Sequence, residues 1–464
     1  MPDRLSLYHH LPYPLKVIAA SAHGYRLRRW RYGRETERLI EEALERESWS
    51  EELWKTWQQE KLALTLFHAA KKVPYYRDYW NKQQRVGNKA SFEYIENWPV
   101  LEKGVLRQTP AAFISENCEQ KKLYVDHTGG TTGTPLSIYE SRATIQNWFA
   151  LFEARIRRWY GVSIKDRWGI FGGQLITSSN RQKPPYWVYN AGLNQVYFST
   201  FHISPGTAKD YVNAMHTFLP THLIVYPSSL SYLAVLMLDQ NLAPPNSIKV
   251  IFSNAEVLFP QQREVIQNAF KCPVVNTYGM GEITAAGSEC QASKLHVWPE
   301  VGYFEVYDPD NRIFIKDGEE AFGEYILTGL LNEDMPLIRY QLGDRGSLPV
   351  FEDCRCKRKL PVIKKIEGRT TDMILTPDGR KLFWFNSVFY GKPVVEAQIV
   401  QLDLYKLIIS IVPGKGYSSD TEKEIKHAMQ SRVGNQMEIQ TKIINKIPRT
   451  KSGKFKAVVS KLNE

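Results

Sequence analysis

The sequence lacks long apolar runs. Its longest apolar stretches are far shorter than the roughly 18 residues that argue for a membrane-spanning helix, and its start lacks the apolar core and cleavage site of an export signal. We therefore expect a cytoplasmic protein. Cysteine is also scarce, with 5 in 464 residues, which excludes a dense disulfide framework. No internal repeat or low-complexity tract is present, so we expect an ordinary globular chain with two or more domains.

Acidic residues are too few to balance the basic ones, and the formal net charge is +11. The excess is clustered: residues 26–34 contain five arginines and no acid, and residues 441–464 contain seven lysines or arginines against one acidic residue. Nucleic acid, an anionic membrane and a polyanionic small molecule could each attract such clusters. Because no recognisable nucleic-acid module accompanies them, we expect no nucleic-acid partner.

Residues 11–34 join a short apolar stretch to the first arginine cluster. Two interpretations stay open. The segment could lie on an anionic membrane surface, at the inner face of the membrane, or it could form an ordinary surface helix packed on its own domain. The second is favoured.

The order of the predicted elements indicates an α/β fold. Residues 1–120 are predicted to be largely helical, and from residue 166 short β-rich runs alternate with helical segments, which is typical of a mainly parallel sheet. After Gly368 the pattern changes to a small α+β unit. We predict a large N-terminal domain over 1–367 and a small, mobile, lid-like domain over 368–464. The predicted strands are 168–171, 195–201, 222–226, 249–252 and 274–277, with helices at 207–218, 228–238 and 260–270.

Two loops have the composition of phosphate-binding segments. Residues 127–135, His-Thr-Gly-Gly-Thr-Thr-Gly-Thr-Pro, combine small residues, which let the backbone approach a ligand, with threonine hydroxyls. Gly133 is followed by Thr134 and Pro135, so this is not a Walker loop, and a P-loop kinase or GTPase is disfavoured. Residues 447–454, Ile-Pro-Arg-Thr-Lys-Ser-Gly-Lys, could carry a cation to a phosphate. Taken alone, each stretch also suits an ordinary surface loop.

Six segments in order resemble the motifs of the adenylate-forming superfamily of acyl-CoA synthetases and adenylation domains. They are 127–135 (phosphate loop), 253–256 (adenine side), 278–282 (tyrosine-glycine-glutamate segment), 340–346 (ribose motif), 368–369 (start of the hinge) and 448–454 (catalytic-lysine loop). Residues 11–33 and 360–369 most resemble the phenylacetate-CoA ligase branch, especially its CapK-like proteins linked to capsular polysaccharide synthesis. The resemblance covers nearly the whole chain. It implies that ATP activates a carboxylic acid as an acyl-adenylate before the acyl group is transferred.

The resemblance also implies a role for each matching residue. Lys454 would bridge the acyl carboxylate and the α-phosphate, Glu282 would bind Mg²⁺, and Thr128 would act at the β- and γ-phosphates. Tyr278 would stack on adenine, and Asp344 would accept hydrogen bonds from both ribose hydroxyls. Considered alone, Glu282 could instead cap a helix, and Asp344 could form an ion pair with the adjacent Arg345. The other implied nucleotide-binding residues are Gly129, Gly130, Thr131, Thr132, Gly133, Asn254, Ala255, Glu256, Gly279, Met280 and Arg369.

Two positions depart from the family pattern. Gly281 stands where relatives often have a small polar residue before the glutamate, which removes a hydroxyl contact with the nucleotide. Thr371 stands two residues after Arg369, where many relatives have an acidic or lysine hinge residue, so the rotation of the small domain is in doubt. Because Lys454 is retained, we do not expect an inactive enzyme.

Three cysteines and one histidine suit a structural zinc site. Cys354 and Cys356 are one residue apart, and Cys290 and His296 precede them. Three sulfurs and one imidazole would complete a tetrahedral Zn²⁺ site with no open position. Cys-x-Cys is a weak signal by itself, and free buried thiols are the competing interpretation. A comparable Cys/His set in some members of the phenylacetate-CoA ligase branch favours zinc.

The acceptor of the acyl group is not specified by any motif. The resemblance favours coenzyme A, while a carrier-protein thiol or an amino or hydroxy sugar stays open. Two other classes remain: a kinase, which would release ADP, and a nucleotide-binding scaffold of a polysaccharide machine that does not adenylate. The acid pocket has no motif either; we expect aromatic residues of segment 171–201 to form its walls.

Overall fold

The computed structural model describes residues 8, 11–128, 136–178, 181–309, 311–315, 321–369, 374–382, 385, 388–389, 392–450 and 455–462. Its helices are α1 (Tyr13–Arg31), α2 (Thr36–Glu45), α3 (Glu51–Lys72), α4 (Pro74–Arg85), α5 (Lys103–Gln108), α6 (Arg142–Phe152), α7 (Ala208–Phe218), α8 (Pro227–Asp239), α9 (Pro260–Phe270) and α10 (Ser419–Val433). Helices α1 to α5 lie within residues 1–120, for which the sequence predicts largely helical structure. No helix in the described ranges is long and apolar enough to cross a membrane.

The strands fall into three larger sheets, two hairpins and the sheet of a small C-terminal unit. They are β1 (Leu101–Glu102), β2 (Tyr124–Thr128), β3 (Leu136–Glu140), β4 (Trp168–Gly172), β5 (Trp187–Asn190), β6 (Gln195–Ser199), β7 (His222–Val225), β8 (Val250–Ser253), β9 (Val274–Val275), β10 (Thr277–Gly279), β11 (Ala286–Glu289), β12 (Leu295–Val297), β13 (Gly302–Asp308), β14 (Ile313–Ile315), β15 (Phe322–Gly329), β16 (Tyr340–Ser347), β17 (Val362–Ile363), β18 (Ile366–Arg369), β19 (Ile374–Leu375), β20 (Lys381–Leu382), β21 (Val394–Asp403), β22 (Lys406–Pro413), β23 (Glu438–Ile443) and β24 (Val458–Ser460).

The first sheet has the predicted parallel arrangement. Its strand order is β5-β6-β4-β7-β8-β9, and each pairing except the antiparallel β5–β6 is parallel. Strands β7 and β8 are buried at every position, as expected for strands covered by helices on both faces. Helices α7, α8 and α9 make the crossovers, so the carboxyl ends of β4, β7 and β8 point to one edge, where ligands bind in such sheets.

The second and third sheets are largely antiparallel, which the prediction of mainly parallel sheets did not include. One has the order β1-β16-β15-β13-β14, with β18 beside β16, and the other has the order β10-β11-β12-β17. Short connections without helices join β11 to β12 and β13 to β14, and such connections produce antiparallel neighbours. These two sheets bring residues 277–369 alongside the carboxyl edge of the parallel sheet.

The C-terminal region has a core of its own. Strands β21 to β24 form a four-stranded sheet in the order β23-β22-β21-β24, and α10 packs on it. The buried residues of this core all lie at or after Ile374, whereas β18 pairs with β16 of the preceding unit. We call the parts before and after this point the large lobe and the small lobe. The predicted boundary at 367/368 stays a prediction.

Helix α1 is packed on the large lobe. The Ser21 hydroxyl accepts a hydrogen bond from the Ala191 N–H at 3.0 Å, and Gly24 lies so close to Asn190 that a methyl group there would fall 1.8 Å from its Oδ1. A methyl group at Gly192 would likewise fall 2.2 Å from the Tyr25 nitrogen and 2.4 Å from the Gly24 carbonyl carbon. The structure therefore supports a helix packed on its own domain, and the glycines are what allow this close approach.

Candidate active site

Two neighbouring cavities lie at the edge where the parallel strands end. The interlobe cavity, of about 620 Å³, is lined by Glu256, Tyr278 and Asp344 from the large lobe and by 455–457 from the small lobe. The described residues that line the large-lobe cavity, of about 580 Å³, all belong to the large lobe. Their linings share Ala255, Thr277, Tyr278 and Gly279. A group bound at residues 277–279 can therefore extend into both cavities.

Local hydrogen bonds hold the shared wall together. Ser253 ends β8, and its hydroxyl donates to Asn276 Oδ1 at 3.1 Å and accepts from the Thr277 N–H at 3.1 Å. The Thr277 hydroxyl donates in turn to the Ser253 carbonyl. Ala255 has a φ of +62°, a conformation that favours glycine. Asn254 and Ala255 line the large-lobe cavity together with Gly279 and Met280.

The predicted adenine and ribose residues come together. The Tyr278 hydroxyl donates to Asp344 Oδ2 at 3.1 Å, although the two residues belong to different sheets. A register shift at Asp344/Arg345 interrupts the β16–β18 ladder, and Arg369 is the strand partner of Asp344. The start of the predicted hinge therefore lies beside the predicted ribose carboxylate.

Glu282 lies in the wall of the large-lobe cavity and is 3% exposed. Its Oε1 accepts from Lys103 Nζ at 3.0 Å and from the Tyr340 hydroxyl at 3.1 Å. Sequence reasoning missed Lys103, which begins α5 and is brought here because β1 pairs with β16. It stands 179 positions from Glu282 in a segment with no motif, so no local signal could have identified it.

The segments predicted to contact the phosphates lie mostly outside the described residues. This applies to Gly129, Gly130, Thr131, Thr132, Gly133, the hinge residue Thr371 and Lys454. Their neighbours in sequence are described. Thr128 ends β2 opposite Leu136, and His127 lines the large-lobe cavity. Phe455, directly after Lys454, lines the interlobe cavity. His127 and Phe455, which stand close to the two loops in the sequence, therefore line the two neighbouring cavities.

Glu256, predicted to lie beside adenine, contacts the backbone of both lobes. Its Oε2 accepts from the Ser228 N–H at 3.0 Å, and its Oε1 accepts from the Phe455 N–H at 2.8 Å. Burial raises the pKa of this carboxyl, and the hydrogen bonds from Phe455 and Ser228 oppose that rise. Glu256 thus lines the interlobe cavity while joining its two walls.

The four predicted zinc ligands converge at a separate place in the large lobe. The donor atoms of Cys290, His296, Cys354 and Cys356 all lie within 4.8 Å of one another. The Cys290 and Cys354 sulfurs are 3.6 Å apart, close to the roughly 3.8 Å that tetrahedral Zn–S bonds of about 2.3 Å require. Cys356 Sγ lies 3.3 Å from His296 Nε2. The donor set and its spacing fit a tetrahedral ion.

The histidine of this cluster is oriented for metal binding. His296 Nδ1 lies 3.0 Å from the Leu360 carbonyl, an acceptor that favours a proton on Nδ1 and a lone pair on Nε2. Burial lowers the pKa of His296, which favours the neutral imidazole. The predicted convergence of the four residues is confirmed; the metal itself is a proposal.

Comparison with known proteins agrees with this geometry. Residues 377–461 match the family described as CapK C-terminal domain. The chain is 26% identical to Protein CapK of Staphylococcus aureus, over 84% of this chain and 86% of that protein. It is also 26% identical to the phenylacetate-coenzyme A ligase of Aromatoleum evansii, over 68% of this chain and 71% of that protein.

Solved structures show the same fold. A crystal structure of 2-hydroxyisobutyryl-CoA ligase in the postadenylation state, bound to R3-HIB-AMP, matches with a TM-score of 0.68 at 21% identity. The match covers 89% of this chain and 91% of that one. In its sequence the chain therefore matches CapK and the phenylacetate-CoA ligases, and in its fold it matches an adenylate-forming CoA ligase.

Proposed function

We propose that the protein activates a carboxylic acid with ATP and transfers the acyl group to coenzyme A. In the first half-reaction a carboxylate oxygen attacks the α-phosphorus, the bond to the bridging oxygen breaks, and pyrophosphate leaves with the electron pair. In the second, the coenzyme A thiolate attacks the acyl carbon, a C–S bond forms, and AMP leaves. Coenzyme A is chosen as the acceptor because the relatives are named as coenzyme A ligases.

The observation that carries this proposal is the contact between Tyr278 and Asp344 at the shared wall. A phenol ring beside a carboxylate with two acceptor oxygens suits a purine and the vicinal hydroxyls of ribose. The nucleotide would extend from the interlobe cavity, with its phosphates toward the loop that contains Lys454 and the loop that begins at Thr128. The acid would enter the large-lobe cavity, where Trp148, Phe149 and Trp168 supply apolar walls.

Charged side chains would stabilise the transferring phosphoryl group. Lys454 would neutralise negative charge that develops between the carboxylate and the α-phosphate. Glu282 would hold a magnesium ion, which supplies positive charge at the phosphate oxygens. Since Lys103 and Tyr340 both donate to Oε1, we assign the other carboxylate oxygen to the ion. Lys103 would hold Glu282 in place.

The acid-pocket walls differ from those expected from the sequence. Phe171 and Phe198 stack on each other at 4.6 Å inside the core and are fully buried. The aromatic walls of the large-lobe cavity come largely from α6 and its neighbours, at Trp148, Phe149 and Phe152. Helical spacing along α6 places these rings on the cavity side.

The test is carboxylate-dependent exchange of labelled pyrophosphate into ATP, over a panel of aryl, fatty and amino acids, with AMP identified by mass spectrometry. We expect exchange with at least one acid, and a loss of about 10²–10³-fold in Lys454→Ala with ATP binding retained. The matched control is Lys461→Ala, an exposed lysine of the small lobe. Release of ADP would identify a kinase, and ATP binding without exchange would identify a scaffold. An undiminished rate in Lys454→Ala would refute the role of the lysine.

A further inference from the structure

The C-terminal turn of α1 forms one wall of the large-lobe cavity. Leu27, Trp30, Arg31 and Tyr32 line it opposite residues 277–282. The Arg31 guanidinium lies over the Phe149 ring, 4.4 Å from its centre, and the Tyr32 ring lies 5.9 Å from the same ring. Arg31 is therefore a cation held by aromatic packing inside the cavity.

Arg31 differs from the other arginine of this cavity. Arg157 is paired with Glu153 at 3.0 Å and is almost fully buried. For Arg31, no carboxylate oxygen of the described residues lies within 4.0 Å. Asp126 acts on it only through a longer-range attraction. Because an enclosed guanidinium is costly unless it is paired, an anionic ligand would find a prepared partner here.

We infer that the activated acid carries a second acidic group, which Arg31 receives, on an aromatic or apolar body that fits between the rings. This rests on the proposed function, since the first carboxylate must reach the α-phosphate. The planar guanidinium matches a carboxylate in a two-pronged arrangement. The phosphates of ATP are anions that a guanidinium would also bind, and His127, which lines the same cavity, begins the predicted phosphate loop. The experiment distinguishes a second acidic group on the acid from these phosphates.

The experiment measures binding through tryptophan fluorescence, which Trp30 and Trp148 of the cavity provide, so that turnover is not needed. The probes are matched pairs: 4-carboxyphenylacetate with phenylacetate, isophthalate with benzoate, and glutarate with butyrate. We expect at least one diacid to bind about tenfold more tightly than its partner, and Arg31→Met to remove that preference. The control is Arg29→Met, an exposed arginine of the same helix.

Equal or weaker binding of all three diacids would overturn the inference. A loss of ATP affinity in Arg31→Met with unchanged acid preference would assign the guanidinium to the phosphates and also overturn it. A diacid preference without pyrophosphate exchange would keep the acidic-group site and reject the proposed reaction. Pyrophosphate exchange with monoacids only would support the proposed reaction and reject the acidic-group site.

A second, independent observation concerns Glu256. One carboxylate oxygen holds the Ser228 N–H in the first turn of α8, and the other holds the N–H of Phe455, the residue after Lys454. The Lys446 ammonium donates to the Phe201 carbonyl at 3.0 Å, which is another hydrogen bond between the lobes. We propose that Glu256 is a positioning residue that fixes Phe455, the residue after Lys454, on the large lobe.

Hydrogen exchange at the Phe455 amide tests this role directly. We expect Glu256→Ala to speed exchange of that amide about tenfold or more, because its acceptor is lost, and Glu256→Gln to retain part of the protection through its amide oxygen. Glu264→Ala, an exposed glutamate on α9, is the control. An unchanged exchange rate in Glu256→Ala would overturn the proposal.

A second measurement separates positioning from general stability. If the proposed function holds, Glu256→Ala slows adenylate formation while transfer from supplied acyl-adenylate to coenzyme A continues, because Lys454, next to Phe455 in the sequence, is assigned to the first half-reaction. An equal loss in both half-reactions would identify a purely structural role and reject positioning.

Discussion

Two buried glutamates of the large lobe, Glu300 and Glu282, differ in the cations that contact them and in their access to a cavity. Glu300 is 5% exposed; Arg155 donates to both of its oxygens at 2.6 Å, and Arg46 donates at 2.9 Å. Glu282 is 3% exposed, yet its cation, Lys103, is 24% exposed and both line a cavity. The first cluster is closed, and the second opens onto the proposed substrate space.

This difference teaches that burial of a charge alone does not mark a functional site. Burial by itself would raise the pKa of Glu300, but Arg155 and Arg46 outweigh it and hold the pKa below its ordinary value. The cluster satisfies its own charges and needs no ligand. Lys103 can reach both Glu282 and the cavity, so its charge is available to a bound anion. Closed clusters should therefore affect stability, and open ones should affect activity.

The Cys/His cluster is the closed site with the largest expected effect. We predict about one zinc per chain by elemental analysis, and removal with a strong chelator should lower the free energy of unfolding by at least about 4–5 kcal/mol. Cys118→Ser, away from the cluster, is the control for Cys356→Ser. Protein without zinc, with all four ligands freely alkylated or titratable, would contradict the metal assignment.

Glu300→Gln tests the closed ion cluster. The change removes the carboxylate that the fully buried Arg155 contacts at 2.6 Å and leaves it only the more distant Glu47, at 3.6 Å, among the described residues. We therefore expect a loss of about 3–5 kcal/mol in the free energy of unfolding, measured with denaturant. Pyrophosphate exchange at low temperature should remain. The exposed control is Glu264→Gln. An unchanged free energy of unfolding together with a loss of pyrophosphate exchange would contradict this prediction, because Glu300 would then affect activity rather than stability.

Lys103→Met tests the open pair. We expect adenylate formation to fall about 10–100-fold, because the variant removes a cation from the cavity, with a smaller stability loss than in Glu300→Gln, because Tyr340 still donates to Glu282. Lys122→Met, on an exposed lysine, is the matched control. A rate equal to that of the unchanged protein would show that Lys103 only neutralises Glu282.

Glu140 sharpens the comparison through pH, because no cation of the described residues lies within 4.0 Å of this buried carboxylate. Burial, with the charges of Asp126 and Asp334, raises its pKa to about 8. The unfolded value is about 4.3, so the folded state binds the proton more tightly. Stability from this group is complete below about pH 4.3 and is lost as the pH rises to about 8.

Glu140→Gln stays neutral at every pH. Its free energy of unfolding, relative to the unchanged protein, should therefore rise between pH 5 and pH 9. Denaturant melts across this range measure the difference. A difference that does not vary with pH would show that Glu140 is ionised in the folded protein.

Much of the fold follows from local patterns. The runs near Trp168, His222 and Val250 are largely apolar, which predicts buried parallel strands, and all three are observed. Tyr278 and Asp344 were predicted from the family resemblance, and the four Cys/His residues from their composition and spacing; the structure brings each set together. The antiparallel sheets were not foreseen, since pairing partners depend on long-range contacts.

The sequence by itself determined the lobes' element types, the loops suited to phosphate and the residue set suited to zinc, because each depends on neighbouring residues. Only the tertiary structure decided that Lys103 meets Glu282, that Arg31 lies inside a cavity and that Glu256 joins the lobes. These contacts span large sequence separations, and any lysine, arginine or glutamate would look the same in a local window. Packing selects among them because an enclosed charge must find a partner.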